Sequence, residues 1–260
     1  MPNGDRTGLI FDEDAQAYQR ARPGYPEALI DDLMARTGLH RGERVIEIGP
    51  GTGQATRALT ARGFSVVAIE PGQRLADVLR ETVPGDVAVV ATTFEDFSAP
   101  GGPVAAVMAF TSWHWLAAPA RAANAAACLR PGGVLVTVTT HHVYGGTTGF
   151  FHQAQACYER WDPATRPGIR LNPAHAIPVL RDEIDDDDAF DVPIHLRHEA
   201  EIAYTTREYI DLLGTYSGHR ALDPRLRHGL LDCLRQLIDT HYAGHIVKRY
   251  LYGARIARRR

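Results

Sequence analysis

Three glycines at alternate positions, Gly49, Gly51 and Gly53, stand between Glu47-Ile48 and Gln54. The run Arg44 to Ile48 is rich in β-branched residues, and Gln54 to Arg62 has a helical pattern, so the glycines are expected in a strand-to-helix turn. Glycines there let the backbone turn sharply and approach a ligand, and the free amides of a helix start favour an anionic group. A dinucleotide reader needs G-x-G-x-x-G/A, yet the sixth position is Gln54 counted from Gly49 and Thr56 counted from Gly51. Glu47 would also repel a pyrophosphate, while it suits an ammonium. The spacing therefore describes a small ligand with a cationic and an anionic end. The bland alternative is a glycine-rich connector with no ligand.

S-adenosylmethionine has those two ends in its α-ammonium and α-carboxylate, and a sulfonium besides. The second β-branched run, Ser65 to Ile69, ends at Glu70-Pro71-Gly72. A carboxylate at such a strand end can accept both hydroxyls of a ribose. Alone, it is equally a solvated loop acid. The third run leads into Thr92-Thr93-Phe94-Glu95-Asp96-Phe97, where Phe94 can lie against an adenine and Glu95 or Asp96 can accept from its amine. Phe94 can also be plain core.

Ligands of doubly wound sheets sit beyond the carboxyl ends of the strands. That rule points to Phe110-Thr111-Ser112-Trp113-His114-Trp115, with Phe110 beside a bound sulfonium and the two tryptophans as a dry wall for an acceptor. His114 is the candidate general base, with a substrate or cofactor hydrogen bond and a satisfied loop histidine as its alternatives. His141 and His142 follow the fifth run at the same end and are candidate substrate contacts, as is Tyr144. Adjacent strand residues point to opposite faces, so the two histidines are not expected to share a metal. Asp185 to Asp188 lacks the interleaved glycine of a calcium loop and reads as a solvated acidic turn.

The elements that must position these residues are short. Arg44 to Ile48, Ser65 to Ile69, Val87 to Ala91, Val104 to Phe110 and Val134 to Thr139 read as strands. Between them lie helical patterns at Gln54 to Arg62, Gln73 to Thr82 and Ala117 to Leu129, the last stopped by the turn Arg130-Pro131-Gly132-Gly133. Such alternation implies βαβ units and a parallel sheet in an α/β doubly wound fold. Residues 1–40 read as a cover segment containing a helix at Glu27 to Thr37, 41–140 as the ligand-binding core, 141–193 as a helical cap choosing the substrate, and 194–260 as completion of the sheet. In the last part, Ile194 to Tyr204 and Ile246 to Ala257 read as strands, Thr206 to Leu213 and Pro224 to Thr240 as helices, and Arg258-Arg259-Arg260 as a mobile tail.

Composition bounds the partners. The 260 residues are 45% hydrophobic and 23% charged with a net charge of −3, which gives no basic field for nucleic acid or anionic lipid. The three cysteines are widely spaced with no CxxC pair, so neither a disulfide framework nor a thiolate metal site is signalled, and a reducing cytoplasm fits. No apolar run is long enough to span a bilayer, and nothing in the pattern distinguishes monomer from homodimer.

Taken together, Val45 to Gly53, Ala68-Ile69-Glu70-Pro71, Ser112-Trp113-His114-Trp115 and Leu129 to Leu135, with Tyr18-Gln19-Arg20-Ala21-Arg22-Pro23-Gly24-Tyr25-Pro26 ahead of them, resemble the class I S-adenosylmethionine-dependent methyltransferases. The likeness is to the type 11 small-molecule group that includes trans-aconitate methyltransferase-like enzymes. It implies a seven-stranded, mostly parallel Rossmann-like sheet whose last strand is antiparallel. It implies that Glu47, Gly49, Gly51, Gly53 and Gln54 surround the methionine part, Glu70 with Pro71 the ribose, and Phe94 with Glu95 the adenine, while Tyr18, Arg22 and Tyr25 close over the cofactor. The strip Thr92-Thr93-Phe94 departs from the family's usual Gly-Asp-Ala.

The resulting expectation is methyl transfer to an oxygen, nitrogen or carbon of a small molecule. Two readings compete with it. One is a methyltransferase-like scaffold that binds the cofactor and promotes cyclisation or another rearrangement, or only binds a ligand; the other is a nicotinamide-dependent oxidoreductase. A macromolecular acceptor is a further variant.

Overall fold

A computed structural model describes residues 12, 14–98, 101–118 and 120–260. Seven strands form one sheet: β1 (Arg44–Ile48), β2 (Ser65–Ile69), β3 (Val87–Val90), β4 (Val104–Phe110), β5 (Leu129–His142), β6 (Ile194–Thr205) and β7 (His245–Arg258). Their order is β3-β2-β1-β4-β5-β7-β6. β1 to β5 pair in parallel, whereas β7 runs antiparallel to both β5 and β6, as the resemblance implies. The order reverses between β1 and β4, and the crevice beyond their carboxyl ends is where a ligand of this topology sits.

Around the sheet lie α1 (Ala15–Ala21), α2 (Glu27–Thr37), α3 (Thr56–Ala61), α4 (Gln73–Thr82), α5 (Ala120–Cys128), α6 (Thr148–Trp161), α7 (Thr206–Gly214), α8 (Ser217–Arg220) and α9 (Pro224–His241). Val45 of β1 joins the core on one face with Leu29 of α2, Phe150 of α6 and Leu234 of α9, while Ile46 and Ile48 join the core on the other with Ala122 and Ala125 of α5. This alternation is the period-two geometry of a strand buried on both faces, which is why the central strands read as nearly unbroken apolar runs.

Several expectations change. β5 begins at Leu129, because Arg130-Pro131-Gly132-Gly133 is taken up as an irregularity of the β4–β5 pairing instead of ending before the strand. α3 begins at Thr56, not Gln54. The expected cap contains one helix, α6, followed by extended chain with 3₁₀ turns at Ala174–Ala176 and Glu183–Asp185.

Cys157 of α6 and Cys233 of α9 form a disulfide of 2.04 Å, which corrects the expectation of unpaired cysteines. Sequence spacing missed it because helix packing brings together residues 76 positions apart. The pairing removes the argument for a reducing compartment that rested on the cysteines. Among the described residues, no helix is long and apolar enough to cross a membrane.

The terminal arginines are not a mobile tail. Arg259 exchanges backbone hydrogen bonds with the Gly132–Gly133 turn, Arg258 donates to the Gly132 and Thr37 carbonyls, and Arg260 pairs with Asp191. Nor is the acidic run wholly solvated. Asp185 pairs with Arg255 at 2.9 Å, and Asp182 and Glu183 pair with Arg121, all at mostly buried positions that lash the cap segment to β7 and α5.

Candidate active site

Between β1 and α3, Gly49, Gly51 and Gly53 all have positive φ, at 62°, 59° and 92°. Close packing bears on all three, and a Cβ on Gly53 would clash with Val83 Cγ2. A Cβ on Gly49 would stand 2.7 Å from Ser112 Cβ, and one on Gly51 would stand 3.3 Å from Tyr18 Cε1. The expectation that the glycine amides are free for an anion is corrected: Gly49 donates to the Ile69 carbonyl, Gly51 to Glu70 Oε2 and Gly53 to the Pro50 carbonyl. The glycines thus supply conformation and closeness, while internal acceptors consume their donors. Gln54 donates to Thr52 Oγ1 at 2.9 Å within the same turn.

Glu70 and Glu47 are both buried at this turn. Glu70 accepts from Gly51 and from Gly72, each at 2.9 Å, so its two oxygens hold the β1 and β2 turns together. Each oxygen retains a second acceptor direction for a ribose hydroxyl. Burial pushes its pKa up to about 7 against the opposing pull of those amides, with Asp12 adding to the rise. Burial likewise pushes Glu47 to about 7, moderated by the Thr56 hydroxyl. Glu47 Oε2 makes no hydrogen bond with the protein. An unpaired buried carboxylate oxygen is costly unless a cation or donor arrives to meet it.

The N-terminal segment roofs the turn. Asp12 caps the start of α4 through Leu75 N at 2.9 Å, and α1 packs on α4 and α7. The Arg22 guanidinium lies 5.0 Å above the Tyr18 ring and 4.7 Å above that of Tyr216, and it donates to Thr215. Tyr25 lies 5.0 Å from Phe110 and hydrogen-bonds Thr111 Oγ1 at 3.0 Å, which in turn bonds Thr140 Oγ1 at 2.9 Å. Thr111 has φ 58°, a costly conformation for a β-branched residue, and these bonds hold the strained end of β4 in place. Tyr18, Arg22, Tyr25, Glu47, Gly49, Gly51, Gly53, Gln54, Glu70 and Phe110 are therefore brought to one crevice.

Other candidates are dispersed. Phe94 is buried in the core with Ile48 and Ile69, Glu95 is exposed and accepts from Ala117 N, and Pro71 is exposed. Trp113 is also core: it lies under the Arg121 guanidinium at 5.0 Å and donates to Asp182. Trp115 is exposed, with the His114 ring 4.6 Å from it and tilted by 43°. Partial desolvation and the charge of Arg121 lower the pKa of His114, and no carboxylate orients it. His141 contacts Thr139 and does not line the cavity described next.

That cavity, about 270 Å³, opens beneath α6 at the carboxyl end of β5. His142 and Tyr144 line it, together with Phe151, Tyr158, Tyr209, Tyr216, His219 and Lys248. Lys248 of β7 was not foreseen. It is buried, lies 3.5 Å from the Tyr216 hydroxyl, and is surrounded by the rings of Tyr209, Tyr216 and Tyr250 at 5.3–5.5 Å. Burial, reinforced by Arg22, lowers its pKa to about 7. Desolvation and the charges of Lys248 and Arg22 likewise keep His142 neutral. A lysine amid β-branched and aromatic residues of an edge-proximal strand reads as a solvent-facing position, and only the packing of α7 and α8 over it reveals otherwise.

A model of the methyltransferase domain matches residues 18–177. The chain belongs to the methyltransferase domain family. It is 32% identical over 236 residues to an uncharacterized methyltransferase of Mycobacterium tuberculosis, covering 90% of this chain and 88% of that one. Among solved structures, a protein assigned as a type II methyltransferase of Anaeromyxobacter dehalogenans superposes with a TM-score of 0.60 at 21% identity, covering 92% and 97% of the two chains. An S-adenosylmethionine-dependent methyltransferase of Thiobacillus denitrificans, solved with S-adenosyl-L-homocysteine, gives 0.52 at 16% identity over 96% and 97%.

As a methyltransferase the chain takes S-adenosylmethionine as its methyl donor, and the crevice fits that group on its own evidence. The unpaired Glu47 Oε2 suits the α-ammonium, and the Glu70 carboxylate retains acceptor capacity for the sugar. At Gly51 a side chain would press on the Tyr18 ring, so glycine lets the turn lie close under that roof.

Proposed function

We propose that this methyltransferase acts on a small molecule that enters the cavity beneath α6, while the cofactor lies in the crevice over Gly49–Gly53. The observation that carries the reading is that one chain of side-chain contacts joins the two sites. Tyr18 touches Gly51, Arg22 spans from Tyr18 to Tyr216, and Tyr216 is a wall of the cavity. The cofactor, when bound, supplies an electrophilic methyl carbon on a positively charged sulfur.

The chain's own residues bind, orient and exclude water. Glu47 meets the ammonium, Glu70 the sugar, and Tyr18 and Arg22 form the partition between cofactor and acceptor. Tyr25, held by Thr111, keeps Phe110 against the crevice. Positioning of this kind can supply much of the rate gain of an in-line displacement. Phe94, Glu95 and Pro71 remain assigned to the nucleoside's outer end, and Gln54 to its methionine end. Trp115, His141 and Tyr144 are assigned to the outer rim of the acceptor path, with Trp113 behind them.

His114, which is not among the cavity's lining residues, is assigned as base only for an acceptor whose reacting group stays outside the cavity. Its exposed ring has no hydrogen-bonded acid to satisfy it, and its lowered pKa keeps it a base near neutral pH.

Screening small acceptors with S-adenosylmethionine tests the reading: S-adenosylhomocysteine should appear in step with acceptor loss. Acceptor loss without that product would instead select the cyclising or rearranging scaffold. Preferential binding of NAD(H) would select the oxidoreductase, and methylation only of RNA or protein would remove the small-molecule assignment.

A further inference from the structure

The cavity beneath α6 has a chemical bias that the cofactor crevice does not need. Among the described residues that line it, none is acidic. Three of its polar groups cluster: Lys248 Nζ, the Tyr216 hydroxyl 3.5 Å away, and His142 Nε2, which lies 3.3 Å from that hydroxyl. The acids beside the wall act elsewhere: Glu159 accepts from Gln155 at 3.2 Å and feels Arg170, and Asp162 acts on His219 and Tyr158. Among the described residues no carboxylate pairs with Lys248, whose neighbours include three tyrosine rings and the like charge of Arg22. A buried ammonium without an anion is a standing cost to the fold, and a ligand that brings the anion relieves it.

The remaining wall mixes a ring-rich side with Thr148, His152, Gln155 and Arg170. Phe151, Tyr158, Tyr209 and Leu213 present ring faces and methyl groups, and α6 is held over them by the Cys157–Cys233 disulfide, with Cys157 placed between Ala154 and Tyr158 of the wall. The ring-rich side takes a planar hydrocarbon body.

We propose that the acceptor is a planar aromatic molecule bearing an acidic oxygen, a phenol or a carboxylic acid, and that Lys248 Nζ is the group that holds this oxygen. Tyr216 and His142 hold it from the sides. If the oxygen arrives protonated, its proton moves to the lysine amine, leaving an oxyanion beside an ammonium. The assignment rests on the cavity being the acceptor site, and its test is arranged to fail separately from that reading.

The experiment titrates the full chain, saturated with S-adenosylhomocysteine, with four probes of one shape: naphthoate, naphthol, methoxynaphthalene and naphthylmethylamine. Naphthoate, naphthol or both should bind at least about tenfold more tightly than methoxynaphthalene, the scale of one charge-assisted hydrogen bond. Which of the two does so distinguishes the carboxylic from the phenolic acceptor. Lys248→Met, which keeps the length and removes the charge, should abolish that preference without changing affinity for S-adenosylhomocysteine. Naphthylmethylamine binding as tightly as the acids, or an acid preference that survives Lys248→Met, would overturn the proposal. The probe series on the unmodified chain decides it even if the variant fails to fold. Loss of S-adenosylhomocysteine binding itself would strike the methyltransferase site and not this assignment.

Discussion

Glu70 Oε2 accepts the amide of Gly51 at 2.9 Å, so the carboxylate that closes β2 shapes the turn that follows β1 before any ligand is present. Its other oxygen does the same for Gly72. A residue that reads as a sugar ligand is thus also the fastener of the cradle, and its removal leaves two buried amides unpaired. Glu70→Ala is expected to weaken S-adenosylhomocysteine binding by about 1.5–3 kcal/mol and to lower the melting temperature as well. Calorimetric titration and a thermal melt check this, and unchanged affinity would remove Glu70 from the cofactor site.

The two buried carboxylates set a pH dependence of unusual sign. Glu47 and Glu70 each rise from an ordinary 4.5 to about 7 in the fold. Between those values the folded chain holds protons that the unfolded chain has lost, so stability falls as pH rises through that window, by at most about 3 kcal/mol per group. A cation at Glu47 favours the ionised form, so S-adenosylmethionine binding at about pH 6 should release a proton and tighten as pH rises toward 8. Calorimetry in buffers of different ionisation enthalpy measures that release. Proton uptake would contradict the placement of the ammonium at Glu47.

Gly49 and Gly51 should differ in tolerance. Gly51→Ala places its Cβ 3.3 Å from a tyrosine edge that can shift, whereas Gly49→Ala drives Cβ to 2.7 Å from Ser112 Cβ, where β1 and β4 are pressed together. Both pay the left-handed backbone cost of about 1–2 kcal/mol. Gly51→Ala is expected to fold and to bind the cofactor about tenfold more weakly. Gly49→Ala should lose more stability in a denaturant melt.

Lys248→Met should stabilise the chain. The lysine falls from 10.5 to about 7 on folding, so the fold disfavours the ammonium, and wild-type stability rises with pH between those values as the unfolded chain alone keeps the proton. Methionine removes this cost, and a gain on the order of 1–4 kcal/mol is expected below about pH 7, shrinking toward about pH 10. Urea melts across that range measure it, and a destabilised variant would show that the ammonium is better solvated than its surroundings indicate.

Reducing the Cys157–Cys233 bond should lower stability by about 2–4 kcal/mol, the scale for a closed loop of this length. Because α6 carries Phe151, Ala154 and Tyr158 of the cavity wall, acceptor-probe binding should weaken more than cofactor binding. Equal effects on both ligands would show that the clamp serves the whole fold and not the cavity in particular.

By itself the sequence determined the alternating strands and helices, the glycine turn with Glu47 before it, and the acid closing β2. These are local patterns: strand period, positive-φ glycines and a charge at a strand end are written in residues that are neighbours along the chain. Tertiary structure alone decided the rest. It used up the glycine amides on Ile69, Glu70 and Pro50, sent Trp113 into the core, joined Cys157 to Cys233, and pinned the terminal arginines to the Gly132–Gly133 turn. It also buried Lys248 without an acid. Each of these depends on which distant segment packs where, and a side chain's partner, burial and charge state are properties of that packing, not of the spacing between residues.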